Sequence, residues 1–171
     1  MFDESLSDAS RRSVQRFVLR TAIPREFVIN AMINGVIAFF VYRNRIDIPI
    51  LGWGGLMAML GPMSLLMPWL TSFFGVFSCA MARNVGIIVP SDPQDLRWLQ
   101  RALKIALVNT IFICPTIITF IYFCHYFFQH ATFNSATAIL GISFGSAFIA
   151  CLIHSYSIFR YMQLIHSSTK L

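Results

Sequence analysis

The fold class this sequence predicts is all-α: a polytopic membrane protein of four transmembrane helices plus an N-terminal interfacial helix. Three observations predict it. The 171-residue chain is 57% hydrophobic and only 12% charged, with a mean hydropathy of +0.68, whereas soluble domains are about a quarter charged. The seven acidic residues, Asp3, Glu4, Asp8, Glu26, Asp47, Asp92 and Asp95, fall by sequence in the N-terminal segment or in loops, leaving the apolar runs without an acid. Finally, the one long hydrophilic interior stretch, Arg83 to Lys104, separates two oily halves that each read as a membrane hairpin.

The leader, residues 1–22, is polar and arginine-rich. Arg11, Arg12, Arg16 and Arg20 mix with Val14, Phe17, Val18 and Leu19, a pattern expected of a helix lying among lipid headgroups. Pro24 marks a bend. No small-x-small cleavage site follows the leader, and the next apolar run exceeds a signal-peptide core, so the first hydrophobic helix is expected to be retained. Its span, 23–42, meets the requirement of about 20 residues at about 1.5 Å each.

After the polar turn Arg43 to Pro49, the run from Ile50 to Ala82 is too long for one upright helix and carries Gly52, Gly54, Gly55, Gly61, Pro62 and Pro68. An irregular interfacial piece over 50–55, with Trp53 at headgroup level, and a span over 56–82 account for it; a re-entrant loop in 50–61 is the alternative. In the central loop, 83–103, Ser91-Asp92-Pro93-Gln94-Asp95 has the chemistry of a helix start, with a capping side chain, a first-turn proline and an acid facing the positive end of the dipole. The third span, 104–128, is interrupted by Pro115. The fourth covers 136–160, where Ala138, Gly141 and Gly145 form a candidate helix-packing seam and Gly141 to Gly145 matches GxxxG. That seam suits packing within the chain at least as well as dimerisation.

Threading follows from basic residues. With four spans, Arg11, Arg12, Arg16, Arg20, Arg25, Arg83, Arg97, Arg101, Lys104, Arg160 and Lys170 fall on one side, eleven in all, against Arg43 and Arg45 on the other. Positive residues stay in the cytoplasm, so both termini and the central loop are expected there, with the chain in the inner (plasma) membrane. The net charge of +6 arises beside the ends of apolar runs rather than on one soluble face, which points to anionic lipid and topology, not to nucleic acid.

No catalytic, metal or cofactor signature emerges. His125, His130, His154 and His166 lie at unmatched depths, which excludes a haem held within one chain. Cys79, Cys114, Cys124 and Cys151 all sit in apolar runs without a CxxC pair, which excludes a quinone-linked thiol oxidoreductase. A proton-coupled multidrug carrier needs a buried carboxylate, and none of the seven acids is placed for it by sequence. Ser143 and His154 are three turns apart on one helix and cannot pair as nucleophile and base.

What remains is a candidate polar layer. Asn30, Asn34, Ser78, Asn109 and His154, counted from the helix ends, fall at similar depth, roughly 6–15 Å from the cytoplasmic side. It reads as interhelical hydrogen bonding worth roughly 0.6–2 kcal/mol per bond, or as a shallow pocket for a polar head in which His154 is the only titratable group. Phe112, Phe120, Tyr122, Phe123, Tyr126, Phe127 and Phe128 crowd the outer half of the third span, as rings do at a lipid boundary. Lipid contact is the favoured reading, and a pigment, sterol or quinone surface is the alternative.

The segments Pro24-Arg25-Glu26-Phe27-Val28-Ile29-Asn30-Ala31-Met32-Ile33-Asn34-Gly35 and Pro49-Ile50-Leu51-Gly52-Trp53-Gly54-Gly55 resemble small four-helix bacterial inner-membrane proteins of uncharacterised function. The likeness covers the first third of the chain. It implies a multi-span membrane protein and carries no activity. The expected function is therefore non-enzymatic, acting by helix packing as a homo-oligomer or a small subunit of a membrane assembly. Its partners are the bilayer and either itself or other membrane subunits. The alternative is a carrier or channel for a small neutral or lipophilic molecule.

Overall fold

The computed structural model describes residues 8–52, 54–88, 97–128 and 132–168. Its elements are α1 (Asp8–Phe17), a π turn (Val18–Ala22), α2 (Ile23–Tyr42), β1 (Ile48–Pro49), α3 (Leu56–Asn84), α4 (Trp98–Phe127), β2 (Thr132–Phe133) and α5 (Ser135–Ser168). Four helical segments are long and apolar enough to cross a membrane: Asp8–Tyr42, Leu56–Asn84, Trp98–Phe127 and Ser135–His166. The helices run alternately up and down, so the described ends of α1 and α5 share one end of the bundle with the end of α3 and the start of α4. The strands lie at the other end.

The first of these corrects an expectation. The N-terminal helix is not a separate interfacial element bent away at Pro24; α1, the π turn and α2 form one continuous helix, with right-handed helical backbone at both junctions. Pro24 lacks an N–H and its ring crowds the carbonyl four residues back. The π turn admits one extra residue just before it, and the Ile23 N–H reaches back to the Val18 carbonyl, which accommodates the proline within a continuous helix. The apolar stripe of α1 is covered by protein rather than headgroups. Val14, Phe17, Val18 and Ala22 enter a buried cluster with Val76, Cys79, Ala102, Ile158, Tyr161 and Met162, while Arg11, Arg12 and Arg16 stay exposed.

α4 has 30 residues and α5 34, more than the roughly 20 needed to cross a hydrocarbon layer of about 30 Å. The helix-start motif Ser91–Asp95 and the interfacial Trp53 lie outside the described residues. At the end opposite α1, residues 50–52 and 54–55 are non-helical, and Gly52 and Gly54 take positive φ (97° and 82°) that other residues rarely adopt. There β1 pairs with β2, Ile48 opposite Phe133 and Pro49 opposite Thr132. The Ser135 hydroxyl donates to the Arg45 carbonyl. This strand pair clamps the two interhelical turns together, and no alternating run announced it.

Packing is uneven. α2 packs along α5, and α3 along both α4 and α5, while α4 and α5 meet only lightly. A cluster of Ala38, Tyr42, Ile48, Met59, Ala138 and Ile142 fills the strand end between α2, α3 and α5, and Met67, Ala150 and Ile153 join the middle.

Candidate functional site: a polar layer and an open cleft

Two rows of residues at a spacing of four build the α2–α5 contact. On α2 the row is Glu26, Asn30, Asn34, Ala38 and Tyr42; on α5 it is Ala138, Ile142, Ser146, Ala150, His154 and Ile158, and all of these except the half-buried Asn30 are buried. Side chains four apart share a helix face, so the polar members of the two rows meet within the contact.

All five predicted polar residues engage other groups in the bundle. Asn34 Nδ2 donates to Ser146 Oγ at 2.9 Å, joining α2 to α5. Asn109 Nδ2 donates to Ser72 Oγ at 2.7 Å and to Ser157 Oγ at 3.0 Å, joining α4 to α3 and α5. Ser78 accepts from Arg25 Nη2 at 2.6 Å, joining α3 to α2, and donates to the Phe74 carbonyl. Asn30 Nδ2 donates to Glu26 Oε1 at 2.8 Å. His154, with no exposed surface, places Nδ1 3.2 Å from Glu26 Oε2. Ser143, a rejected nucleophile, donates to the Ala31 carbonyl at 2.7 Å.

The last pair overturns the expectation that no acid enters the apolar interior. Glu26 is only 7% exposed. Its position directly after Pro24 and Arg25 makes it read as part of a charged leader, but α2 has already begun at Ile23. One residue of helical rotation turns Arg25 outward and Glu26 towards α5. Sixteen residues separate Glu26 from Tyr42, about 24 Å along the helix, which is within the reach of the hydrocarbon layer. The spacing 26-30-34-38-42 was the available signal.

Around this pair, neither ring nitrogen of His154 makes a hydrogen bond of ordinary geometry, although the Thr71 carbonyl of α3 also lies by the ring. α3 comes close because Gly75 has no side chain: a Cβ there would stand 3.1 Å from the His154 carbonyl oxygen. Arg83, which reads as a loop cation, is 2% exposed at the end of α3, and sequence alone gave no sign of this.

All three residues of the predicted seam line a lateral cleft of about 660 Å³ between α3, α4 and α5; Ala138 is buried at its edge in the cluster with Ala38 and Tyr42, and Gly141 and Gly145 are exposed to it. Thr137 and Ile149 bound it on α5, twelve residues or about 18 Å apart. Its walls are almost wholly apolar, and nothing lies within 4 Å of a Cβ built on either glycine. The aromatic residues from Phe112 to Phe128, on α4 and just after it, are more than half exposed. Cys79 and Cys151 are buried, and Cys114 and Cys124 half-buried; all four are free thiols. His130 lies outside the described residues.

Comparison with protein-family models, with characterised proteins and with solved structures finds no match. The resemblance noted for residues 24–35 and 49–55 therefore stays a likeness of sequence.

Proposed function

We propose that this chain is a non-enzymatic integral membrane protein that acts by helix packing, receiving a transmembrane helix of a second copy or of another membrane subunit in the cleft over Gly141 and Gly145. It is read as residing in the inner (plasma) membrane with both termini in the cytoplasm, a reading supported by the eleven-to-two distribution of basic residues. The observation that carries the proposal is a division of labour. The layer's amides bond within the bundle, while the two glycines best suited to close helix approach have nothing against them. The test is the mass of the particle extracted from its native membrane in minimal detergent. A dimer or a defined complex is expected; a lone monomer without a co-purifying protein contradicts it.

A second reading is favoured by Glu26 and His154, since an ionisable residue inside a membrane is a functional-site hypothesis by default. It is a carrier or channel for a small neutral or lipophilic molecule, using the polar layer. Asn34→Leu, Asn109→Leu and His154→Leu separate the two readings. A carrier loses transport while still inserting and assembling, and a packing protein loses folding or assembly first.

A further inference from the structure

We propose that Glu26 and His154 form a proton-binding site inside the membrane, an acid–base pair that holds one proton between its side chains and exchanges it. The inference is independent of the helix-packing reading and holds whether or not the chain transports anything.

The geometry supplies both partners. Glu26 Oε2 and His154 Nδ1 stand 3.2 Å apart, His154 has no exposed surface, and Glu26 is nearly as buried. The other carboxyl oxygen, Oε1, is held by Asn30. Both imidazole nitrogens are buried without a hydrogen bond of ordinary geometry, and a buried polar group left this way costs free energy until it gains a partner. A proton placed between nitrogen and oxygen supplies one.

Charge limits the site to a single proton. With one proton the pair is neutral overall, whether the proton rests on the carboxyl oxygen or on the imidazole nitrogen. With two, the pair carries a positive charge inside apolar surroundings, beside the cation of Arg25. With none, it carries one negative charge that the same guanidinium balances. Among the described residues, the groups acting on the pair include Arg25 and the Asn30 amide on α2, the Thr71 carbonyl on α3 and the Cys151 thiol on α5. Arg25 is exposed and tied to Ser78, so it marks the side from which water can deliver or remove the proton. The π turn Val18–Ala22 ends four residues before Glu26, and such turns are frequent at functional sites. On release, the proton passes from the pair to water at the Arg25 side and leaves the carboxylate facing a neutral imidazole; on uptake the steps reverse.

The sequence makes the test direct, because Glu4 and Glu26 are the only glutamates. Carboxyl-labelled [13C]glutamate in protein reconstituted into lipid nanodiscs gives two signals by solid-state NMR, and Glu4→Gln assigns them. The Glu26 signal is expected to shift as pH is scanned through the range in which histidine changes charge. Its midpoint is expected to move in His154→Gln and in Arg25→Gln. Where His154→Gln fails to fold, the ring-nitrogen signals of [15N]histidine in the unaltered protein take its place, and His154 must change with the midpoint shown by Glu26, as coupled groups do. A Glu26 signal that stays fixed across this range overturns the proposal, as does one whose midpoint ignores His154.

Discussion

Near the chain's termini, Gly75 lets α3 approach α5 so closely that a Cβ would stand 3.1 Å from the His154 carbonyl oxygen. Near the strand pair, a Cβ on Gly141 or Gly145 would meet nothing within 4 Å. All three are helical glycines in apolar surroundings, yet one is used within the chain and two are not. The difference follows the polar side chains. Around Gly75, Ser78, Asn109, His154 and Ser157 tie α2, α3, α4 and α5 into one layer. Beyond that layer α4 parts from α5, and the cleft opens over Gly141 and Gly145. A small residue permits close approach, but it is the polar bonding that decides which helices take it up.

Substitution can break this contrast. The largest effect is expected for Gly75→Val, whose branched side chain meets α5 backbone that cannot swing aside. Forced repacking of this kind costs roughly 1–3 kcal/mol, read as a lower unfolding midpoint in detergent titrations. Asn109→Leu comes next. It removes both bonds that join α4 to the layer, at about 0.6 kcal/mol each on average, and a double-mutant cycle with Ser157→Ala should show coupling. Asn34→Leu removes one bond, to Ser146, and should cost about half as much by the same measurement. The smallest effect is expected for Gly141→Leu, whose side chain projects into open cleft. The stability of the isolated chain should change by less than about 0.5 kcal/mol, while association with a partner helix is lost. Equal destabilisation by Gly75→Val and Gly141→Leu would erase the distinction.

Much of the fold was legible because hydrophobic run length and the placement of charge are strong signals in a membrane. α2 runs from Ile23 to Tyr42 and α3 starts at Leu56, where the glycine-rich stretch ends. The polar layer was visible too, by counting residues from helix ends. Rotation was harder to see. Glu26 looked like leader because Pro24 precedes it, and the spacing of Gly141 and Gly145 did not say whether they pack within the chain or against another helix. In each case the deciding fact was which way one residue of helix turn faces, set by neighbours far away in the chain. The continuity of α1 with α2 was hidden for a related reason, since a π turn that absorbs a proline has no sequence period of its own. The β1–β2 pair joins two turns some 85 residues apart and is too short to show alternation.

The most direct measurement is photo-crosslinking in native membranes, with a photoreactive side chain at Gly145 in the cleft and, as control, at Phe40, which is 64% exposed on α2. The account predicts a discrete protein adduct from position 145, to a second copy or to one other membrane subunit, and only lipid adducts from position 40. Lipid adducts alone at both positions would contradict it.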